Sequence, residues 1–239
     1  MKKVIMVFLF TIGISALVFP LHETWFSVGY EYGFSMDTYK YQGREIDTKT
    51  NSAGVNLSTY SFFTNNVGIF VHASFLFPKH SWVWNDGGIS KVDFNNYAGN
   101  INIGFIIGLA YKIDFTDDFK SYFGIGFNYL VSSSTYAGRG ITSYDRSAQS
   151  FGIAGDMGLK FDITDRCFLK LGSIFAFDFL RHTSIDTYTG ASHTRSSSDW
   201  DKGYFMLSAR PYIAAGINLY RGTGNNRFKL TTGKPNKEN

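Results

Sequence analysis

The chain has 239 residues, of which 44% are hydrophobic and 18% are aromatic, and its formal net charge is +4. This composition fits one domain with a large buried or lipid-facing surface, and the single cysteine, Cys167, excludes a disulfide scaffold. The positive charge resides in Lys2, Lys3 and the basic residues after position 220, whereas residues 21–220 are close to neutral. The body of the chain therefore has no basic patch to support a nucleic-acid interface, and we predict no nucleic-acid partner.

The first 21 residues have the pattern of a secretory signal peptide, because two lysines precede an apolar run from Val4 to Leu17. Polar sequence with a β-strand pattern follows at once, and no other apolar run approaches the length of a membrane helix. We predict three regions: a signal peptide over residues 1–21, a β-domain over residues 22–220, and a basic, disordered tail over residues 221–239.

A six-residue phrase occurs twice, as KIDFTD at residues 112–117 and as KFDITD at residues 160–165. Each copy ends one alternating segment just before another begins, and Asp and Thr side chains bond their own nearby backbone, so both phrases predict tight turns. A third turn is predicted at Thr64, Asn65 and Asn66. Long connections alternate with these turns: Ser35 to Ala53, Pro78 to Asn96, Val131 to Ser147, and Arg181 to Asp201.

The segments between the connections alternate between large apolar residues and small or polar ones. In the fourth segment the large face consists of Ile101, Ile103, Phe105, Ile107, Leu109, Tyr111 and Ile113. The opposite face is rich in glycine, for example Gly104 and Gly108, which weakens a strand unless space is short. A soluble calyx or sandwich also alternates, but small residues on the polar face indicate a crowded lumen.

We therefore predict an all-β fold, an eight-stranded antiparallel up-and-down transmembrane β-barrel whose strands of about 10 to 14 residues cross a bilayer at a tilt. Its short turns and termini are expected on the periplasmic side, and its long loops outside the cell. Aromatic residues at the predicted strand ends are expected to form interfacial girdles. They are Trp25, Phe63, Phe115, Phe161 and Tyr220 on the turn side, and Phe34, Phe77 and Phe179 on the loop side.

The predicted barrel resembles the small outer-membrane barrels of Gram-negative envelopes, the OmpX, opacity-protein and OmpW group. It is most similar to OmpW-like proteins in mature length and in the aromatic second loop that contains Trp82, Val83 and Trp84. The last segment ends in Gly216 to Tyr220, similar to the aromatic-ended assembly signal of the group, although 19 residues follow it. The resemblance implies an outer-membrane location, contact with lipid and a lipopolysaccharide-like surface, and insertion by the outer-membrane assembly machinery.

Ten charged residues fall on the predicted inward face. They are Glu31, Lys112, Asp114, Lys120, Asp156, Lys160, Asp162, Lys170, Asp178 and Arg210. Because their signs balance, they give no net field for an ion-selective path, and we predict that they pair as a structural plug. We expect the pairs Asp156 with Lys170 and Glu31 with Arg210. Pro211 is expected to interrupt the ladder of the last strand, since it lacks an N–H.

Candidate catalytic residues are weakly supported. They are His182, Ser184, Asp186, His193 and Asp199 in the fourth loop, and His72 with Ser74 on the third strand. A nucleophile needs a base within hydrogen-bond distance and a third group that orients the base, and the sequence fixes no such geometry. We therefore predict no catalytic site, no metal site and no cofactor.

Two functional hypotheses remain. Trp82, Val83 and Trp84, together with Trp200, form apolar positions in otherwise polar loops and indicate a lid over the lumen or a ligand contact. The first hypothesis is a narrow channel or lateral conduit for small hydrophobic molecules, as the OmpW resemblance implies. The second is a surface-exposed binding protein or adhesin that recognises a host or extracellular ligand through its loops, whose Tyr, Ser, Asp and Arg content suits adaptable recognition. A barrel enzyme is a minor third alternative.

Overall fold

The computed structural model describes residues 22–41, 44–64, 66–85, 88–93, 97–137, 142–189, 192–197 and 204–221. The strands in these ranges are β1 (Glu23–Tyr41), β2 (Arg44–Phe62), β3 (Val67–Asn85), β4 (Gly88–Asp93), β5 (Tyr97–Asp114), β6 (Phe119–Ala137), β7 (Thr142–Asp162), β8 (Cys167–Thr189), β9 (Ser192–Ser197) and β10 (Phe205–Arg221). The predicted signal peptide and the tail beyond position 221 lie outside the described residues and stay predictions.

Eight long strands form a closed antiparallel barrel in the order β1, β2, β3, β5, β6, β7, β8, β10, and β10 pairs with β1 to complete the circle. The short strands β4 and β9 fold back on β3 and β8 as hairpins. The predicted fold class is therefore confirmed. No helix in the described parts of the chain is long and apolar enough to cross a membrane.

The three tight turns share one hydrogen-bond pattern, in which a threonine hydroxyl accepts the N–H of the first residue of the next strand. Thr64 accepts from Val67 at 2.9 Å, Thr116 from Phe119 at 3.0 Å, and Thr164 from Cys167 at 2.9 Å. These hydrogen bonds confirm the predicted turns and assign the capping role to threonine.

Backbone hydrogen bonds also link neighbouring hairpins at the turn end of the barrel. The N–H of Lys112 donates to the carbonyl of Asn66, and that of Asp162 donates to Asp118, both at 2.8 Å. Two similar bonds follow around the barrel: the N–H of Asn218 donates to the carbonyl of Arg166 at 2.8 Å, and the N–H of His22 donates to the carbonyl of Phe62 at 2.7 Å. Each hairpin is thus joined to its neighbour at this end, and the sheet edge is closed there.

The strands are longer than the sequence predicted, and the expected long loops are largely strand. The segments from Ser35 to Ala53 and from Val131 to Ser147 continue as paired hairpins, β1 with β2 and β6 with β7. A strand of 19 residues such as β1 is about 60 Å long and rises about 45 Å at a tilt near 40°. That height exceeds the apolar band of about 25 Å of a membrane barrel, so the hairpins project beyond it. The prediction was wrong because polar, threonine-rich and tyrosine-rich sequence pairs as well in water as apolar sequence pairs in lipid.

The two faces of the strands separate as predicted. Exposed large apolar side chains cover the outside of the barrel along its turn-proximal and central parts, whereas every second residue is buried. On β6, for example, Phe123, Ile125 and Phe127 are exposed while Asn128 is buried. An apolar exterior around a polar and aromatic interior is the arrangement of a transmembrane barrel.

Pro211 interrupts the closing seam. Pairing of β10 with β1 runs to Tyr212 opposite Glu31 and resumes at Ala209 opposite Phe34, whereas pairing of β10 with β8 continues through Pro211 opposite Ser173. The register does not shift, so the interruption is a local loss of pairing without a bulge. The prediction for Pro211 is confirmed on the side of β1.

Candidate functional site

The turn end of the lumen is filled by a charged cluster around Glu23. The carboxylate of Glu23 lies 2.9 Å from Nζ of Lys112 and 2.6 Å from Nζ of Lys120. Lys160 binds Asp162 and lies 3.9 Å from Glu23. Since each lysine has a carboxylate partner, the cluster is close to electrically balanced and leaves little charge unpaired in the barrel interior.

A layer of aromatic side chains lies on this cluster. Its members are almost completely buried and come from all around the barrel: Trp25, Tyr60, Phe62, Phe70, Tyr122, Phe168 and Tyr212. Inward glycines make room for these rings, since a Cβ at Gly124 would lie 2.7 Å from the Phe70 ring and one at Gly172 would lie 2.7 Å from Tyr212. Packing of large rings against glycine leaves little free space in this half of the lumen.

Lys170 lies within the aromatic layer. Its ammonium group is 4.3 Å from the ring centroid of Tyr60, 4.7 Å from that of Tyr122 and 5.3 Å from that of Tyr212. It donates a hydrogen bond to Ser58 at 3.0 Å. Three aromatic faces around a desolvated cation form a cation–π cage.

The predicted ion pair between Asp156 and Lys170 is wrong. Within the described residues the two side chains make no ion pair, because the tyrosine hydroxyls occupy Asp156. Tyr60 donates to one of its oxygens, and Tyr212 donates to the other at 2.8 Å. A hydrogen-bonded carboxylate and a caged cation therefore replace the expected direct contact.

The predicted pair of Glu31 and Arg210 is present, with Nη1 of Arg210 3.6 Å from the Glu31 carboxylate. Ser74 donates to the same carboxylate at 2.9 Å, and Nε2 of His72 lies 3.2 Å from it. Arg210 also donates from Nη1 to Ser74 at 3.3 Å. This group of side chains forms the upper limit of the packed half of the lumen.

Above Arg210 the lumen opens into a cavity of about 260 Å³ on the side of the long hairpins. We call it the outer cavity. Most of its lining residues are polar, chiefly serine, threonine and asparagine from all parts of the wall, although more of the lining surface is apolar than polar. Arg181 crosses this space, 3.1 Å from Asp37 and 5.1 Å from the ring centroid of Tyr204. The barrel thus has a packed half at the turns and a hollow half at the hairpins.

In the described part of the wall, strand pairing between β3 and β5 ends beside the outer cavity. The ladder between β3 and β5 ends at Leu76 opposite Asn102, although both strands continue, β3 to Asn85 and β5 from Tyr97. Above this point β3 pairs with β2 and β4, and β5 pairs with β6. We call this place the β3–β5 gap.

Three features separate the two strands at the gap. Pro78 follows the last paired residues of β3 and has no N–H for a ladder. The pairing of β2 with β3 shifts at Asn51, and that of β5 with β6 shifts after Ala98. Such irregularities bend a strand away from its neighbour. Leu76, Pro78, Asn100 and Asn102 line both the gap and the outer cavity.

No protein-family profile matches the chain, and no curated protein matches it. Solved structures do match. The outer membrane protein OprG from Pseudomonas aeruginosa has a TM-score of 0.57 at 13% identity, with 85% of this chain and 99% of OprG covered. The outer membrane protein AlkL in lipid bilayers has a TM-score of 0.51 at 12% identity, with 87% and 95% covered. Ail, the attachment invasion locus protein of Yersinia pestis, has a TM-score of 0.46 at 12% identity, with 82% of this chain and 98% of Ail covered.

The chain has the fold of the small outer-membrane β-barrels. The resemblance drawn from the sequence is thereby confirmed at the level of the fold. In this outer-membrane barrel fold, the side chains of the lumen charges predicted from the sequence are buried, except that of Asp114, which lies half-exposed at the turn end and binds Lys112 at 2.9 Å. Asp178 is buried and accepts hydrogen bonds from Asn128 and Ser150.

The predicted aromatic girdle requires one correction. Trp25 is 1% exposed and points into the lumen, where its Nε1 donates to Glu23 at 2.6 Å. Trp25 shares the inward face with Glu31, six residues later on the same strand, so strand alternation was the signal that should have excluded it. The side chains on the outside are Phe34, Phe77, Phe115, Phe161 and Phe179, with Phe63 half-buried. The side chain of Tyr220 lies outside the described residues.

At the turn end, Phe119 stacks between two of the predicted girdle residues. Its ring centroid is 5.2 Å from that of Phe115 and 4.8 Å from that of Phe161. The sequence did not single out Phe119, although it directly follows a predicted turn. This aromatic row suits a membrane interface, which remains a prediction.

The loop tryptophans are only partly described. Trp82 lies in the extension of β3, paired with Lys49 of β2 and Lys91 of β4, and its side chain is half-buried. The backbone of Val83 and Trp84 continues β3, whereas their side chains, and all of Trp200, lie outside the described residues. A lid formed by these residues stays a prediction.

The catalytic candidates are divided by the structure. His72 and Ser74 both bind Glu31, but all three side chains are buried beneath the outer cavity. His182, Ser184 and Asp186 lie at alternate positions of β8, whereas Asp199 and the side chain of His193 lie outside the described residues. In the part of the chain that the structure describes, no group of three or more His, Cys, Asp or Glu residues is arranged to hold a metal ion.

Sequence reasoning missed several important lumen residues. It omitted Glu23, which holds the charged cluster, and the tyrosines that bind Asp156. The signal for Glu23 was present, because it lies at an even spacing from Glu31 on the same strand. Pro78 was predicted only as the start of a long loop, whereas a proline within a strand indicates where ladder pairing ends.

Proposed function

We propose that this protein is an outer-membrane barrel that acts as a lateral conduit for small molecules, from the outer cavity through the β3–β5 gap into the bilayer. The observation that carries this proposal is that residues of both β3 and β5 beside the gap line the outer cavity, while the lumen below the cavity is packed. The fold shared with the outer membrane proteins OprG and AlkL supports the location.

An axial channel is disfavoured by the packed half of the lumen. A solute that moved along the barrel axis would have to displace the Arg210 group, the ring layer around Lys170 and then the Glu23 cluster. Displacing paired buried charges and closely packed rings costs several kcal/mol at each layer. A lateral exit above Arg210 avoids all three layers.

The lateral route requires the least rearrangement at the gap. Leu76 and Asn102 are the last paired residues, so a molecule in the outer cavity meets no ladder hydrogen bond between β3 and β5 above them. Phe77 lies beside the gap with its side chain exposed on the outer surface. An apolar group leaving the cavity there would pass directly into the lipid-facing surface.

The lining of the outer cavity indicates which class of solute it can hold. Most of its lining residues are polar, but much of the lining surface is apolar, so small molecules that carry one polar group and one apolar part match it as well as purely hydrophobic solutes do. Such a molecule keeps its polar group in the cavity while its apolar part enters the gap.

The decisive experiment closes the gap covalently. In a Cys167→Ser background, Phe77→Cys and Ile101→Cys are introduced at the positions that would pair next if the β3–β5 ladder continued. A bifunctional thiol reagent then joins them through cleavable disulfides. The control joins Phe75→Cys with Ile103→Cys, which are paired on the same two strands.

The probe is N-phenylnaphthylamine, whose fluorescence rises in the bilayer core, and the vesicles carry lipopolysaccharide in their outer leaflet. We expect the cross-linked Phe77/Ile101 protein to transfer the dye at the rate of protein-free vesicles, and reduction to restore the wild-type rate. The Phe75/Ile103 control keeps the wild-type rate before and after reduction. Unchanged transfer through the closed gap, or a steady ion current in planar bilayers, would contradict the lateral conduit.

A second candidate function is surface binding, and the hairpin extensions favour it. β3 with β4 and β8 with β9 form paired strands beyond the apolar band, with Ser, Thr, Tyr and Arg residues along them. Ordered polar hairpins offer a surface to an extracellular ligand. Closing the β3–β5 gap leaves such binding unchanged, so cell-surface binding that persists in the cross-linked protein separates this function from the conduit.

A further inference from the structure

Arg210 uses only one side of its guanidinium group. Its Nη1 contacts Glu31 and Ser74, at 3.6 Å and 3.3 Å. Its Nε and Nη2 have no hydrogen-bond partner among the described residues, although the side chain is only 4% exposed. Buried donors without an acceptor are costly, so this open edge is suited to a bound acceptor.

The chemistry of the open edge is specific. The N–H of Nε and one N–H of Nη2 point in parallel from the same edge of the guanidinium plane. Two parallel donors match the two oxygens of a carboxylate, which arginine binds in a bidentate manner. A neutral amide or alcohol satisfies only one of the two donors.

The surroundings of Arg210 suit a small acid. Arg210 lies at the floor of the outer cavity, and the charged side chains in the cavity lining are Arg146, Arg181, Arg210 and Asp37, a net positive set. Ser150 and Ser208 add hydroxyl groups to the lining. At about 260 Å³ the cavity is smaller than the roughly 300–1,000 Å³ of sites for drug-sized ligands.

The two carboxylates near the floor are already engaged by the protein. Glu31 accepts hydrogen bonds from Ser74 and lies 3.2 Å from His72. Asp178 accepts hydrogen bonds from Asn128 at 2.6 Å and from Ser150 at 3.0 Å. Glu31 contacts Arg210 only at Nη1, and neither Glu31 nor Asp178 accepts a hydrogen bond from Nε or Nη2 of Arg210.

We propose that the outer cavity binds a small monocarboxylic acid, with its carboxylate on the Nε–Nη2 edge of Arg210. The inference rests on the proposed conduit in so far as it names the class of solute that the conduit takes. The apolar part of the acid then lies toward Leu76 and Leu130, whose aliphatic side chains line the cavity. The binding step itself does not require transport.

The test measures binding to the full chain, refolded in detergent, by isothermal titration. The probes are benzoate and propionate, and the matched neutral probes are benzamide and propionamide. We expect each acid to bind at least about tenfold more tightly than its amide, because only the acid satisfies both donors with a charged acceptor. Equal affinities of acid and amide would overturn the proposal.

The matched variants are Arg210→Lys and Arg166→Lys. Lysine at position 210 keeps a positive charge beside Glu31 but removes the two parallel donors, so we expect the affinity for benzoate to fall about tenfold or more. Arg166 is exposed in the turn at the opposite end of the barrel, and its replacement leaves the affinity unchanged. An unchanged affinity in Arg210→Lys would also overturn the proposal.

A measurement on the wild-type protein covers the case in which Arg210→Lys fails to fold. The ¹⁵N-detected Nε–H resonance of Arg210 is expected to shift on addition of benzoate and to stay in place with benzamide. No shift with benzoate contradicts the site. If benzoate binds but closure of the gap leaves dye transfer unchanged, the binding site is supported and the conduit is contradicted. If closure of the gap blocks dye transfer but benzoate does not bind, the conduit is supported and the binding site is contradicted.

Discussion

At the residue scale, the interior is organised by pairs of one large ring and one glycine. Phe70 packs over Gly124, and Tyr122 packs over Gly158 and Gly172. A barrel of eight strands has a narrow lumen, so each inward ring needs an inward position without a side chain on a strand one or two places away around the barrel. The glycine content of the inward faces therefore reflects the aromatic content of the same lumen.

Gly158 and Gly155 on β7 test this arrangement. A Cβ at Gly158 would collide with the Leu171 carbonyl and the Tyr122 hydroxyl, whereas one at Gly155 meets its nearest atom at 3.6 Å. We expect Gly158→Ala to lower the free energy of unfolding by about 1–3 kcal/mol through overpacking. Gly155→Ala is expected to be neutral or slightly stabilising. Urea unfolding in phospholipid vesicles measures both, and equal effects would contradict the packing.

At the element scale, the turns and the prolines set where pairing begins and ends. The three threonine turns start each following strand in the same way. Pro211 removes pairing within the closing seam without changing its register, whereas Pro78 coincides with strand irregularities and the end of the β3–β5 ladder. The same residue type therefore has a minor effect where both neighbouring strands keep their register, and a large effect where bulges accompany it.

Thr164 tests the turn pattern. Its Oγ1 accepts from the N–H of Cys167 at 2.9 Å and from that of Arg166 at 3.2 Å. We expect Thr164→Ala to lower the free energy of unfolding by about 1 kcal/mol, since a net hydrogen bond contributes about 0.5–1.5 kcal/mol. Thr164→Ser keeps the hydroxyl and is expected to retain most of the stability in the same vesicle assay. A loss of the same size in the serine variant would assign the effect to the methyl group.

At the scale of the whole molecule, the barrel has an apolar outer surface along about half of its height and polar hairpins above it. Phe127 is 76% exposed in the central part of β6, between Ile107 and Ile153 on the neighbouring strands. Phe115 is 57% exposed at the turn end. The depth of each residue in a bilayer follows from these positions.

Phe127→Arg and Phe115→Arg test the position of the bilayer. Arginine at the midplane of a membrane barrel costs about 2–4 kcal/mol, and near an interface about 0–1 kcal/mol. We therefore expect a larger loss of folding free energy in vesicles for Phe127→Arg than for Phe115→Arg. In detergent micelles, which adapt to a charge, the difference should shrink. A larger loss at Phe115 would place the bilayer at another height.

Much of the whole-molecule architecture could be predicted from the sequence, because alternation, turn residues and strand number are local signals. The faces of β5 to β8 and the three turns followed from them. The positions of Trp25 and of the partners of Asp156 could not be predicted as easily, since contacts across a lumen depend on register and height around the whole barrel. The outer cavity and the β3–β5 gap depend on how two strands bend, which no local pattern states.

The circle of backbone hydrogen bonds at the turn end has a mechanical consequence. Among the described residues, a backbone hydrogen bond outside the strand ladders attaches each turn to the next strand end around the barrel, for example from Asn218 of β10 to Arg166. A force applied to the end of β10 acts along the strand and therefore loads the ladders to β1 and β8 in shear, and the interruption at Pro211 leaves fewer bonds in the ladder to β1. Extraction by a pulling tip should therefore start at β10 and proceed hairpin by hairpin, in steps of two strands, toward β1.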